Sequence, residues 1–266
     1  MTEPLLLSTT RISTFRGKQL LTAATAFFFK RSERLYLVTS RHVLHDPPTG
    51  HFPDRIEMRL HVDPQNLTRT EVLSVPLYQD ALALWRQGRD SFGEVDVAVV
   101  ALDRDVLPKA LVLHAFEPEH LLHAFEEAEV GAHLLVTGFP LGFYDTVHHL
   151  PVVRHAIIAS AFGVRFQGEG YFLTDGRMHR GSSGAPVVMR RHAPGSTLPW
   201  RLLGVHSGRM DMGTRDAVMD ESLGLNCAWY ADILMTLTAD TAEPNPAAMG
   251  PRRDKRSPLR STERNT

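Results

Sequence analysis

Ser183 lies in the run Arg180-Gly181-Ser182-Ser183-Gly184-Ala185-Pro186, which passes directly into Val187-Val188-Met189. Glycines on both sides let the backbone take conformations that a β-carbon would block, so the hydroxyl can project into a cleft. A serine hydroxyl is a weak nucleophile at neutral pH and needs a base within hydrogen-bond reach, itself oriented by a third group. The N–H groups of Gly181 and Ser183 can converge on one point, where an anionic oxygen would be stabilised. The same letters also serve as a plain flexible turn. What separates the two readings is whether a histidine and a carboxylate stand upstream in matching contexts.

They do. The apolar, β-branched run Tyr36-Leu37-Val38-Thr39-Ser40-Arg41-His42-Val43-Leu44 delivers His42 at the end of a strand. An imidazole titrates near neutrality, so it can take a proton and return it. His45 follows three residues later, outside the run, and is set aside. Asp96 stands at the head of Val95-Asp96-Val97-Ala98-Val99-Val100-Ala101-Leu102. An acid in such a strand is costly to bury unless it is paired, which favours Asp96 over Asp90 and Asp103 as the orienting group.

The order His42, Asp96, Ser183, with the segments V-T-S-R-H-V-L, D-V-A-V-V and T-D-G-R-M-H-R-G-S-S-G-A-P-V, resembles the trypsin-like (chymotrypsin-fold) serine peptidases. The likeness is to bacterial members, including HtrA-type protease domains. It implies an all-β protein of two six-stranded antiparallel β-barrels, with few helices and the active site between the barrels. It implies a serine endopeptidase working through an acyl-enzyme, with His42, Asp96 and Ser183 catalytic and Gly181 and Ser183 forming the oxyanion hole. By the family motif the serine directly before Gly-Ala-Pro attacks, which excludes Ser182. Digestive relatives carry an aspartate at that preceding position, where it pairs with a newly cut N-terminus. Ser182 cannot form that ion pair, so activation by clipping is not expected. Ala185 replaces the commoner second glycine, a small change if its φ is negative.

The same likeness assigns Leu203-Gly204-Val205-His206-Ser207-Gly208 to the strand that pairs with substrate backbone and walls the primary pocket. His206, Ser207 and Gly208 become substrate-binding candidates, with Thr174 and Arg177 at the pocket border. A histidine at this point resembles the one that reads glutamate or glutamine in some relatives. A small or aliphatic pocket, with His206 satisfied internally, is the other reading. Thr137-Gly138-Phe139-Pro140-Leu141-Gly142 resembles a family turn and is taken as structural.

The elements that must position these groups are short strands broken by turns. Residues 22–29 and 36–42 form a hairpin across the charged turn 30–34. Period-two alternation marks 55–62 as a half-buried strand, with weaker strands at 71–77 and 81–85 before the Asp96 strand. Leu5-Leu6-Leu7 fits an edge strand or a short helix. Helix formers behind Pro118 predict a helix over 118–128. Further strands are expected at 132–137, 152–160, 164–167, 171–174, 186–189, 202–206 and 225–230, then a helix over 231–237. The division is an N-terminal barrel lobe 1–110, a connector 111–130, a C-terminal barrel lobe 131–240 and a disordered basic tail 241–266.

The 266 residues suffice for a large core, and a formal charge of −1 argues against nucleic acid as the main partner. No apolar run approaches the roughly 20 residues of a membrane span. The first residues, Met-Thr-Glu-Pro-Leu-Leu-Leu-Ser, lack the basic start of a signal peptide. Cys227 is the only cysteine, so no internal disulfide can form, which fits a reducing, cytoplasmic setting. Fourteen histidines invite a metal, but no H-E-x-x-H or paired C-x-x-C spacing supports one. No metal and no cofactor are expected. The partner is a protein or peptide substrate, with a regulatory protein partner left open and no membrane. Six Arg or Lys in 251–266 read as a solvated terminus. The rival class is a protease-fold binding or scaffold module, latent until a partner completes it.

Overall fold

The computed structural model of the chain describes residues 2–80, 82–122, 128–191, 195–210 and 224–240. Its N-terminal lobe is one antiparallel sheet of seven strands. In chain order they are β1 (Thr9–Arg16), β2 (Gln19–Arg31), β3 (Arg34–Thr39), β4 (Arg55–His61) and β5 (Thr70–Pro76), followed after a short hairpin by β8 (Trp85–Asp90) and β9 (Gly93–Leu102). The hairpin pairs β6 (Tyr78–Gln79) with β7 (Leu82–Ala83). Across the large sheet the order is β5-β4-β1-β2-β3-β9-β8. Leu73 from one edge strand and Trp85 from the other enter the same buried cluster, so the sheet curls around a core without closing its hydrogen-bonded ring.

The C-terminal lobe is a closed six-stranded barrel. It is built from β10 (His133–Gly138), β11 (Val152–Ile158), β12 (Tyr171–Asp175), β13 (Pro186–Arg190), β14 (Trp200–Arg209) and β15 (Leu225–Tyr230). The fold is thus the expected two-lobed, mostly β architecture, with the first lobe an open seven-stranded sheet instead of a six-stranded barrel.

Three apolar clusters explain the strand sequences. One fills each lobe and a third lies between them. The run Ala26-Phe27-Phe28-Phe29 does not alternate in polarity because both faces of β2 are covered. Ala26 and Phe28 point into the first lobe, whereas Phe27 and Phe29 point into the interlobe cluster. Strand β9 divides in the same way, with Val95, Val97 and Val99 facing the second lobe and Ala98 and Val100 facing the first. Burying each such Phe or Val side chain contributes roughly 1.5–3 kcal/mol.

Both ends of the described chain cross to the opposite lobe. The opening helix α1 (Pro4–Leu7) sends Leu5 into the interlobe cluster beside Leu198 and Trp200, and Trp200 Nε1 donates to Glu3 Oε1 at 3.3 Å. The closing helix α3 (Ile233–Leu237) docks on β8, and a β-carbon at Gly88 would lie 3.0 Å from Ile233 Cδ1. Arg31 donates to the Met235 carbonyl at 2.5 Å and Arg86 to those of Leu237 and Ala239.

Several local expectations change. His42 lies just beyond β3, on the helical turn α2 (Arg41–Leu44), and not within the strand. Leu5-Leu6-Leu7 is helical, and β1, which alternates only weakly, lay hidden behind it. The strand expected at 164–167 is absent; Gly163, Gln167 and Gly168 all take positive φ there, which breaks an extended run. Pro118–His120 forms one turn of 3-10 helix, and the rest of that expected helix falls partly on 123–127, outside the described residues, as does the tail beyond 240.

Candidate active site

Asp96 and His42 are brought together by the β3–β9 ladder, in which Thr39 stands opposite Ala98. The turn α2 then carries His42 back over the head of β9. His42 Nδ1 lies 2.7 Å from Asp96 Oδ2, and the His42 backbone N–H donates to Asp96 Oδ1 at 2.8 Å. Both carboxylate oxygens are therefore engaged by one residue, which fixes the ring orientation and leaves Nε2 as the working nitrogen. Ser207 Oγ donates to Asp96 Oδ2 at 2.5 Å, a third grip on the carboxylate. Burial pulls the His42 pKa down, but the hydrogen bond and charge of Asp96 outweigh it and hold the pKa above 6.5. Burial pushes Asp96 up, yet its hydrogen bonds and the imidazole charge bring it below the usual 3.8.

The rival groups have other employment. His45 stacks edge-on with Phe52 and tilts against Trp85. Asp90 pairs with Arg165 at 2.7 Å, and Asp103 accepts from the Asp105 N–H.

Ser183 approaches from the turn before β13. Its carbonyl accepts from the Thr25 N–H at 3.0 Å, and Thr25 Oγ1 donates to the Gly181 carbonyl at 2.7 Å while accepting from the Phe139 N–H at 3.1 Å. Thr25, fully buried on β2, thereby ties the first lobe to the serine loop. Sequence reading passed over it, although a lone hydroxyl in Ala23-Ala24-Thr25-Ala26-Phe27 was the available signal. Gly181 and Gly184 both need glycine. Their φ values are +92° and +84°, and a β-carbon would lie 2.5 Å from the Phe139 carbonyl oxygen or 2.2 Å from that of Thr25. Among the described residues the N–H groups of Gly181 and Ser183 have no acceptor, as an oxyanion site requires. The Ser183 hydroxyl donates to the Ser207 carbonyl at 3.0 Å, and no hydrogen bond among the described residues joins it to His42.

The other substrate candidates divide. Thr174 and His206 are buried, as is Asn226, which the sequence reading missed despite its polar place in Leu225-Asn226-Cys227-Ala228. Thr174 stands opposite Asn226, and His206 opposite Ala228 two residues along, so the three side chains leave the sheet on one face. Thr174 Oγ1, His206 Nδ1 and Asn226 Oδ1 are each buried without a hydrogen-bond partner among the described residues. Burial, then the proximity of His42, lowers the His206 pKa to about 4, so this ring is neutral. Arg177 is exposed. Strand β14 runs beyond its last pairing with β13 (Pro186 with Val205), so one edge of Ser207–Arg209 has no strand partner among the described residues, and a β-carbon at Gly208 would meet nothing within 4 Å. Residues 211–223, which follow, lie outside the described residues. Among the described residues no group of three or more His, Cys, Asp or Glu is placed to hold a metal, and no helix is long and apolar enough to cross a membrane.

Comparison with known proteins names the class. The family described as the trypsin-like peptidase domain matches residues 24–193, well over half the chain. The chain belongs to that family. Among solved structures, a variant of the HtrA-type protease AlgW with a tripeptide matches at 19% identity and a TM-score of 0.53, over 86% of this chain and 58% of that one. A serine endoprotease from Yersinia pestis matches at 16% identity and a TM-score of 0.49, over 86% and 61%. The chain thus spans less than two thirds of either. No curated protein matches.

Proposed function

We propose that the chain hydrolyses peptide bonds through His42, Asp96 and Ser183. Ser183 Oγ bonds to the substrate carbonyl carbon while its proton passes to His42 Nε2. His42 returns that proton to the leaving amine as the C–N bond breaks, and water then releases the acyl group by the same route in reverse. Asp96 holds the ring and stabilises its cationic form, while the Gly181 and Ser183 N–H groups take the carbonyl oxygen as it gains charge. The observation that carries this reading is the double engagement of Asp96 by His42, reinforced by Ser207. A fluorophosphonate probe is expected to label the wild type and not Ser183→Ala; Ser183-independent cleavage of the same peptide would overturn the assignment.

The primary pocket is proposed to favour Glu or Gln before the scissile bond. Support comes from the unpartnered polar atoms of three residues: Thr174 Oγ1 and His206 Nδ1 could donate to a side-chain amide oxygen or carboxylate, and Asn226 Oδ1 could accept from a glutamine amide. Peptide-library cleavage clustering after Glu or Gln would bear this out, and cuts after small aliphatic residues would remove it. An extended peptide lying along the edge of Ser207–Arg209 that has no strand partner among the described residues would be held by main-chain hydrogen bonds. The single thiol, Cys227, supports placement in a reducing cytoplasmic compartment. A second reading, an enzyme at rest until a partner binds, is favoured by one observation: the Ser183 hydroxyl engages Ser207 and not His42. Under that reading labelling is slow with the protein alone and rises when a regulatory protein is added.

A further inference from the structure

A polar cavity of about 190 Å³ lies between the outer face of β1 and β4 and the segment 139–149. It is smaller than the ~300 Å³ lower bound of drug-sized sites, so it suits a single side chain. Arg11 and Arg59 line its floor, with Tyr144 and His149 over them and Phe139 at the end nearest the serine loop. The covering segment is pinned in place: His61 Nε2 donates to the His148 carbonyl at 2.7 Å, and the Arg11 guanidinium lies 5.7 Å from the Tyr144 ring centre.

The charge of this cavity is unbalanced. Its one acid, Glu57, is already engaged by Arg55, at 2.9 and 3.0 Å. Asp145, at the edge of the covering segment, is taken by His148 at 2.7 Å and by the backbone N–H groups of Val147 and His148. Among the described residues neither Arg11 nor Arg59 has a carboxylate partner, and Arg11 Nε is buried with no hydrogen bond. Two guanidiniums and a histidine therefore face a cavity whose one lining acid among the described residues, Glu57, is paired with Arg55 through Oε1, while Arg11 makes a single side-chain bond, to Ser13 Oγ at 3.1 Å. A guanidinium is built to hold a carboxylate in paired hydrogen bonds.

Its position says what brings the carboxylate. Ser183 is flanked on one side by Ser207 and the face bearing His206, where the residue before the scissile bond would enter. On its other side stands Thr25, whose opposite number on β1 is Arg11. Phe139 joins the two: it lines the cavity, and its N–H is bonded to Thr25 Oγ1. A peptide that enters beside Ser207 and crosses Ser183 would carry the chain beyond the scissile bond toward Thr25 and Phe139. We propose that the cavity is a subsite for an aspartate or glutamate side chain on the leaving-group side of a peptide substrate. The assignment rests on the peptidase reading above.

The test separates the two. Peptides carrying Glu, Gln or Lys within three residues after the cut are compared with wild type, Arg11→Gln, Arg59→Gln and Arg11→Glu, each checked by thermal unfolding. The Glu peptide is expected to be cut with a kcat/KM about tenfold above the Gln peptide, a preference lost in either Gln variant and turned toward Lys in Arg11→Glu. Arg59 is exposed, so its variant reports even if Arg11 changes perturb folding. In parallel, binding of the same peptides to full-length Ser183→Ala protein is measured by calorimetry. Glu-selective binding that Arg11→Gln abolishes upholds the subsite even if Ser183 proves not to be the nucleophile. Equal handling of the three peptides, or Glu selectivity indifferent to both arginines, overturns it. Arginine-dependent binding that leaves the pattern of cleavage unchanged also overturns it, in favour of a site for a separate acidic effector.

Discussion

At the residue scale the site is governed by what Asp96 does to its neighbour. His42 must be neutral to accept a proton, so kcat/KM should fall as pH drops through its raised pKa, giving an acid limb with an apparent pKa above 6.5. In Asp96→Asn the charge is gone and the burial that opposed it prevails, so the limb should move below 6.5 while the rate itself drops steeply. A limb that stays in place would show that Asp96 does not set it. For stability the sign is also fixed: the raised pKa of His42 stabilises the fold below 6.5, and that contribution is lost as pH rises through the folded value. His206 acts oppositely. Its folded pKa, lowered to about 4, makes stability fall as pH drops from 6.5 toward 4, by up to about 3 kcal/mol. Urea midpoints of wild type and His206→Gln, compared at pH 7 and 4.5, should show a shallower loss in the variant. The three residues proposed to react, His42, Asp96 and Ser183, could be picked out in the sequence because each stands in a distinctive apolar or glycine-rich context. Thr25, Asn226 and the bond from Ser207 to Asp96 were not, since each depends on a partner 52 to 156 residues away.

At the scale of elements, the serine loop owes its shape to strand β2 as much as to its own glycines. Thr25→Val keeps the size and β-branching of the side chain but leaves the Gly181 carbonyl and the Phe139 N–H without that hydroxyl. A destabilisation of about 1–3 kcal/mol is expected, together with slower fluorophosphonate labelling; labelling at the wild-type rate would mean the loop holds itself. Gly184→Ala should be far worse, because its β-carbon would meet the Thr25 carbonyl and Thr39 Oγ1 inside van der Waals contact. The same geometry explains which strands could be read in advance. Strands β3, β4 and β9 carry strong apolar runs or clean alternation, whereas β1 and β8 are rich in Thr, Ser, Arg and Gln and owe their strand form to the neighbours they pair with. The segment 164–167 shows the converse, a β-like composition overruled by left-handed residues at its ends.

At the scale of the molecule, the architecture was legible as a class, while the seven-stranded first lobe was not, because strand closure depends on long-range register that no local pattern encodes. The interlobe cluster makes the lobes interdependent. Leu234, fully buried there, should cost about 2–5 kcal/mol when changed to Ala, lowering the thermal midpoint of the whole protein in one transition. Two separate transitions by calorimetry would show that the lobes melt independently. The exchanged ends carry a further meaning. Each lobe grips a terminal piece that belongs to the other, so the lobes are expected to stay together even when the connector is cut. A protease nick near residue 110 should leave a clasped pair of fragments that elutes as one particle of unchanged size and retains the serine probe. Fragments that part on dilution would mean that the covalent link, and not the reciprocal clasp, holds the catalytic halves in line.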